Sequence, residues 1–407
     1  TQEWFAGQGI GKIDRHSPHA VTIPGAIDGW ARLVADHGRM SLGAVLQPAI
    51  RYARDGYAIS SRVAVDFASE VEFLSQDPTA ARIFLPGGQP PRVGQFHRQP
   101  ELAATLEVIA EKGRDGFYTG AVAEDMVSYL KQLGGLHTME DFAEHQGEYV
   151  TPIKTNYRGY DVHEIPPNGQ GITALILLNI LSGFDLSQYG PADPERVHLE
   201  IEATRLAYAD RNTFVADPRF ADVPVDYLLS EAHAEELRSL ISMDRAMENV
   251  PRPKLPAHSD TVYLCVVDED RTAVSFINSL FTSFGSGFVA PKTGVVLQNR
   301  GCGFVLDPDH PNCIAPHKRP FHTIIPAMLT KGDRAVMPFG VMGGQYQACG
   351  HAHVLTGFLD HGLDVQEAID APRVFPTAEG VVEVESGLPA KALHGLHGLG
   401  HRTGAPD

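Results

Sequence analysis

The stretch HSDTVYLCVVDEDRTAVSFINSL, residues 258–280, decides how the rest of the chain is read. Thr261 heads an apolar run that ends at Asp268, and a second run follows from Arg271 to Leu280. Two such runs around a short charged stretch predict a β-hairpin with residues 269–271 as its loop. Val262, Leu264 and Val266 fall on one face of the first strand, Tyr263, Cys265 and Val267 on the other. Apolar residues on both faces predict a strand covered on both sides, inside a layered fold. The register follows by counting. Asp268 opposite Thr272 places Thr261 opposite Ser279, and directly opposed residues have Cβ atoms about 4.5–5.5 Å apart. Two hydroxyls are therefore expected within reach of each other, although a lone threonine is an ordinary strand residue. Just upstream, PRPKLPAHSD (residues 251–260) holds three prolines. Proline lacks the N–H that helices and central strands need, so this run is expected to be an exposed connector.

The 407 residues are 43% hydrophobic, enough for a sizeable core. A net charge of -17 argues against nucleic acid or an anionic membrane surface as partner. No apolar run reaches the roughly 18 residues of a membrane span. The most apolar run, ALILLNIL at residues 174–181, predicts a buried helix instead. Four cysteines (Cys265, Cys302, Cys313, Cys349) show no CxxC spacing, and Cys265 is expected to pack inside its strand. Unpaired cysteines agree with a cytoplasmic location, with a periplasmic or secreted one as the alternative. The chain opens on Thr1 rather than Met and is expected to be a processed product or a fragment.

Helical patterns dominate the first part of the chain. QPELAATLEVIAEK carries Leu102, Leu106 and Ile109 at helical spacing and stops at Gly113, and Thr138 with Asp141 has the form of a helix cap. Arg158-Gly159 within TPIKTNYRGYDVHEIPP predicts two strands around a turn, and Asp193-Pro194 opens a long helix. Strands then cluster towards the C-terminus, including a short one at residues 294–297 and VVEVES. The order predicts stacked sheets with helical layers outside, not alternating βα units.

HExxH, GxxxxGK[ST] and GxSxG are all absent from the sequence, which removes the zinc-peptidase, P-loop and nucleophile-elbow readings. The glycines of GQGITAL are expected to form a turn before a helix. His351 and His353 lack further ligands at suitable spacing and are expected to be structural or solvent-facing. Gly343-Gly344 in FGVMGGQYQ differs in kind: paired glycines after an apolar strand let backbone N–H groups face a ligand without a Cβ in the way. An ordinary strand-to-helix turn remains the plain alternative.

PGAIDGWARL, GFYTGAVAEDM, YADRNTFVADPRF, TVYLCVVDEDRTAVS, FGSGFVAPKTGVVLQNRG, KRPFHTIIPAM, GVMGG and QEAIDAPR occur in that order. With them the chain resembles the gamma-glutamyltranspeptidase family of N-terminal-nucleophile (Ntn) hydrolases, and within it the branch that includes oxamate amidohydrolase-type enzymes. The resemblance implies an α+β fold, the αββα four-layer Ntn-hydrolase sandwich, made as a zymogen. The chain would cut itself between Asp260 and Thr261. Residues 1–260 would give a large subunit and residues 261–407 a small one, together forming one domain, with both ends apparently incomplete. The freed α-amino group, with an ordinary pKa of about 7.7–8.0, would serve as base for the Thr261 hydroxyl.

In the same way the resemblance gives Ser279 the place of a hydroxyl that bonds the nucleophile, and Gly343 and Gly344 that of the oxyanion hole. Where the family holds a glutamyl ammonium and α-carboxylate, this chain has Gly303, Arg300, Phe281, His322 and Thr323. The ammonium site has lost its anion and gained a cation, so Arg300, His322 and Thr323 are expected to bind a carboxylate on a smaller amide. The expected reaction is hydrolysis of a small carboxylate-bearing amide through an acyl-Thr261 ester, with no metal or organic cofactor. Alternatives are gamma-glutamyl transfer or hydrolysis with glutathione, a cephalosporin-type acylase, and a non-catalytic scaffold. The expected partners are a small-molecule substrate and the self-derived subunits, as a homodimer of processed heterodimers.

Overall fold

A computed structural model describes residues 1–248 and 261–406. They form two compact units, one of residues 12–149 and 280–302 and one of the remainder. The connector expected at residues 251–260, Asp260 included, lies outside the described residues.

The first unit is built on helices α1 (Leu42–Asp55), α2 (Pro100–Lys112) and α3 (Ala121–Gln132). Ser41 caps α1 by accepting the Ala44 N–H at 3.2 Å, and proline opens α2 where its missing N–H costs nothing. Leu46 and Ile50 of α1, Ile109 of α2 and Met126 of α3 meet Phe288 and Leu297 in one core. Buried Asp125 on α3 fixes the incoming loop, its Oδ2 accepting the N–H groups of Lys292 and Thr293 at 3.0 Å each. The strand expected at residues 294–297 shrinks to a single bridge between Val289 and Val296. Gly294 turns the chain there with φ 66°, leaving too few residues to pair.

The second unit holds an antiparallel sheet of β1 (Ile153–Tyr157), β2 (Tyr160–Glu164), β5 (Ala327–Lys331) and β6 (Arg334–Phe339), in the order β1-β2-β5-β6. Between them in sequence comes the hairpin β3 (Val262–Val267) and β4 (Ala273–Asn278). Arg158 and Gly159 turn β1 into β2 with φ of 51° and 82°, the mirror-image turn that suits strand twist. On the sheet lies α4 (Gly171–Ser182), and α5 (Pro194–Phe214) and α6 (Gln347–Leu359) pack against it. Every residue of α4 from Gly171 to Leu181 is buried, as the apolar run at 174–181 predicts. Leu175, Leu178, Leu199, Leu329 and Leu355 belong to its core.

The hairpin keeps the expected register, Val262 opposite Asn278 through Val267 opposite Ala273. Its cover does not match the expectation. Val262, Leu264 and Val266 are 64%, 45% and 54% exposed, and Cys265 is exposed too. Among the described residues β3 pairs only with β4. Alternation of residue types records what a strand could bury, whereas cover depends on a neighbour that local sequence does not describe.

His351 and His353 are buried, each against a carboxylate: His351 Nδ1 lies 2.6 Å from Glu164 Oε1, and His353 Nδ1 3.0 Å from Glu200 Oε1. Arg196 completes the second group with Nη1 at 2.5 Å from Glu200. Burial raises the Glu200 pKa, and the charges of Arg196 and His353 outweigh it, leaving the group at about 2.

A small sheet of β7 (Val374–Pro376), β8 (Val381–Val384) and β9 (Arg402–Gly404) closes the unit. Beside β9, His198, Glu202 and His401 bring possible ligand atoms within 4.8 Å of one another. The two imidazoles already bond each other, with His198 Nδ1 and His401 Nε2 2.7 Å apart. Two nitrogens on one tetrahedral zinc, each about 2.0–2.1 Å from it, stand roughly 3.3 Å apart. His198 Nε2 faces the Ser242 carbonyl at 2.8 Å, which only accepts. Nε2 of His198 therefore carries a proton. No helix among the described residues is long and apolar enough to cross a membrane.

Candidate active site

Thr261 stands directly before β3, and the ladder carried one step further sets it opposite Ser279. Its Oγ1 donates to Ser279 Oγ at 3.5 Å, the long end of a hydrogen bond. From the other side it accepts from Gln347 Nε2 at 3.3 Å. Gln347 is the first residue of α6, and is fully buried. Its carbonyl Oε1 accepts the Ile325 N–H at 3.2 Å. A backbone N–H can only donate, so this bond fixes which end of the amide points at Thr261.

Gly343 and Gly344 lie between β6 and α6 with φ of 121° and 52°, a conformation that side chains resist. Tyr346 N–H donates to the Gly343 carbonyl at 2.9 Å, and Gln170 Nε2 to the Gly344 carbonyl at 2.9 Å. Both carbonyls are thus held, which orients the peptide groups. Among the described residues neither glycine N–H donates to another group.

His322 and Thr323 form the next wall of this cluster. His322 N–H donates to Asn168 O and its carbonyl accepts Gln170 N–H, each at 2.9 Å. His322 Nδ1 accepts the Ile324 N–H at 3.3 Å, so that nitrogen is unprotonated. Thr323 is buried, and its carbonyl accepts Gln170 Nε2 at 2.8 Å. One side-chain amide, that of Gln170, therefore ties Thr323 to Gly344.

Behind it sits a buried cation. Arg211 on α5 donates through Nη1 to Gln170 Oε1 at 2.9 Å and Gln345 Oε1 at 2.6 Å, and through Nη2 to Asn212 Oδ1 at 3.0 Å. The guanidinium lies over the Tyr208 ring, 4.1 Å from its centroid. Burial pulls its pKa down to about 10, so it remains charged near neutrality. Its amide partners are neutral, and they pass its polarising effect towards Gly344 and Thr323.

Arg300 belongs to the other unit. It is buried, its guanidinium lies 4.8 Å from the Phe281 ring centroid, and burial lowers its pKa to about 9. Gly303 carries no side chain, and its carbonyl accepts Asn312 Nδ2 at 2.5 Å. The structure thus brings Thr261, Ser279, Gly343, Gly344, His322 and Thr323 into the second unit, while Arg300 and Phe281 stand in the first. Asp260 lies outside the described residues.

Sequence reasoning missed Gln170, Arg211 and Gln347. The available signal was slight: two glutamines, Gln345 just before α6 and Gln347 at its first position, and one in the turn before α4.

The family profile described as Gamma-glutamyltranspeptidase matches residues 1–407. The chain is 41% identical over 354 residues to the glutathione hydrolase-like YwrD proenzyme of Bacillus subtilis (strain 168), a match covering 87% of this chain and 67% of that protein. It is 36% identical over 383 residues to the oxamate amidohydrolase proenzyme of Klebsiella pneumoniae, covering 92% of this chain and 70% of the relative. Among solved structures, the cephalosporin acylase from Bacillus halodurans superposes with a TM-score of 0.93 at 39% identity, over 100% of this chain and 76% of that one.

Proposed function

Because this chain belongs to the gamma-glutamyltranspeptidase family, we propose that Thr261 is its nucleophile and that it hydrolyses small carboxylate-bearing amides. The protein is an autoprocessing Ntn amidohydrolase with the αββα sandwich of that class. The observation that carries the residue assignment is the Thr261 hydroxyl, set at the head of a strand between Ser279 at 3.5 Å and Gln347 at 3.3 Å.

In processing, Thr261 Oγ attacks the carbonyl carbon of Asp260, and the hydroxyl proton ends on the peptide nitrogen. The peptide C–N bond breaks, and the nitrogen becomes the free α-amine of Thr261. Water then hydrolyses the ester, leaving a carboxylate on Asp260. In turnover the α-amine takes the Thr261 proton, Oγ adds to the substrate amide carbon, and the C–N bond breaks as the α-ammonium passes that proton to the leaving nitrogen. The N–H groups of Gly343 and Gly344 receive the oxyanion, a kind of donor whose loss costs about 10²–10³ in rate. Ser279 holds the Oγ proton before transfer.

For the substrate, the oxamate amidohydrolase relative and the loss of an anion at the ammonium position support a compact amide bearing a carboxylate, bound by His322 and Thr323. The part of Arg300 in that recognition rests on sequence position. Likeness to the cephalosporin acylase favours a second reading, a bulkier acyl amide such as glutaryl.

Intact-mass analysis of the purified protein should give two fragments, the second beginning at Thr261. Thr261→Ala should leave one uncut chain without turnover, and Ser279→Ala should slow both steps less. A Thr261→Ala protein that still cleaves or turns over defeats the assignment. Oxamate, glutaryl amides and a gamma-glutamyl anilide, tested side by side, separate the substrate readings.

A further inference from the structure

The Thr261 oxygen has a donor that the mechanism above leaves unused. We infer that Gln347 is a catalytic residue whose amide N–H stabilises negative charge on Thr261 Oγ when the acyl-enzyme ester breaks down. The inference rests on Thr261 being the nucleophile.

Three observations carry it. Gln347 Nε2 reaches Thr261 Oγ1 at 3.3 Å, so it touches the reacting atom itself. The Ile325 N–H at 3.2 Å holds the carbonyl end, so the donor end cannot flip away without stranding a buried group. Gln347 is fully buried at the first position of α6, three residues after Gly344, so the oxyanion turn and this amide are set by one backbone path.

The chemistry then separates the two halves of the reaction. In acylation Oγ loses its proton and forms a bond to the acyl carbon. A donor on Oγ helps the proton leave, but it also occupies a lone pair of the attacking atom. In deacylation the α-amine takes a proton from water as the water adds to the ester carbon, the C–Oγ bond breaks, and its electron pair returns to Oγ. The α-ammonium returns a proton there. Here the donor only helps, because charge grows on the oxygen it contacts. The same holds for the ester formed on Asp260 during processing. Loss of Gln347 should therefore slow ester hydrolysis more than ester formation, and the ester should accumulate.

Two variants test this. Gln347→Leu removes both bonds. Gln347→Glu keeps an acceptor for the Ile325 N–H while replacing the donor with a carboxylate, so it covers the case in which the leucine variant fails to fold. Deacylation should fall about 10- to 100-fold, the lower range for a donor longer than an ideal one. Rapid-quench intact mass should find the fragment from Thr261 onward carrying the acyl group at steady state, where the parent is mostly free. Uncut Gln347→Glu chain should yield extra cleavage on treatment with hydroxylamine, which attacks the stalled ester. For Gln347→Glu, the rate relative to the parent at the same pH should rise as pH falls, because protonating the carboxyl restores an O–H donor.

A structural role alone predicts parallel losses in both half-reactions and no pH-dependent recovery. Unchanged burst amplitude with equal acylation and deacylation losses overturns the inference. Failure of the underlying assignment is recognised separately: the parent is then not cut before Thr261, or Thr261→Ala remains active.

Discussion

Replacing Gly340 with alanine should damage catalysis more than folding. Gly340 follows β6, and a Cβ built there would lie 2.5 Å from Tyr263 Cε2 and 3.0 Å from its Cγ. Carbon atoms rest about 3.5–4.0 Å apart, so ring or backbone must retreat by roughly 1 Å. The ring is not free to swing aside. Its hydroxyl lies 2.9 Å from Ser275 Oγ, which in turn donates to the Phe339 carbonyl at 3.3 Å. The first bond holds the ring to β4, and the second ties β4 to β6. The easier response is for β3 to shift, and Tyr263 is two residues from Thr261. A displacement of about 1 Å at a reacting group costs on the order of 100-fold in rate, whereas overpacking typically costs about 1–3 kcal/mol of stability. The assay is kcat/KM on the best amide of the panel, with the processed fraction from intact mass and Tm on the same preparation. Gly340→Ala/Tyr263→Ala should regain part of the lost rate by giving the methyl room. A single variant that processes and turns over at the parent's rate would refute the reasoning, as would a double variant no better than the single.

Leu175→Ala, at a fully buried position on α4, should lower unfolding free energy by about 2–5 kcal/mol, measured by denaturant titration of the uncut Thr261→Ala protein; a loss near zero means α4 is not the core helix described. Stability should also fall on mild acidification because of His401. Burial first, then the neighbouring charges of His198 and Arg205, push its pKa down to about 3 from an ordinary 6.5. The folded form therefore excludes a proton that the unfolded form binds, so this contribution is full above about pH 6.5 and is lost as pH falls towards 3. His401→Gln should flatten the dependence of Tm on pH in that window, and an unchanged slope would remove His401 as its source.

The hairpin was legible because pairing is a matter of counting: once Asp268 faces Thr272, the position of Ser279 opposite Thr261 is arithmetic. The buried helix at 174–181 was legible because it has no polar face to hide. Motif order carried the family and the fold beyond that. Long-range polar partners were not legible. His351 and Glu164 are 187 positions apart, as His353 and Glu200 are 153 apart, and no local pattern couples such residues. Gln347 was overlooked for a related reason. A glutamine at a helix start reads as solvated, and only the fold reveals that its two ends are committed to Ile325 and Thr261. The exposed valines of β3 mark the opposite failure, in which a pattern promised cover that another element would have to supply.

The core of the second unit draws on both sides of the proposed cut. Leu175 and Leu199 precede it, Leu329 and Leu355 follow it, and β2 pairs with β5 across it. Scission at residue 260 would therefore change the molecularity of unfolding without dividing the packing. An intact chain unfolds as one particle, whereas a cut one must also pay out two separate chains into solution, so its resistance to heat gains a dependence on protein concentration. The precursor and the mature form would share a set of contacts and yet obey different mass-action laws. Dilution, harmless to the first, becomes a stress that only the second can feel.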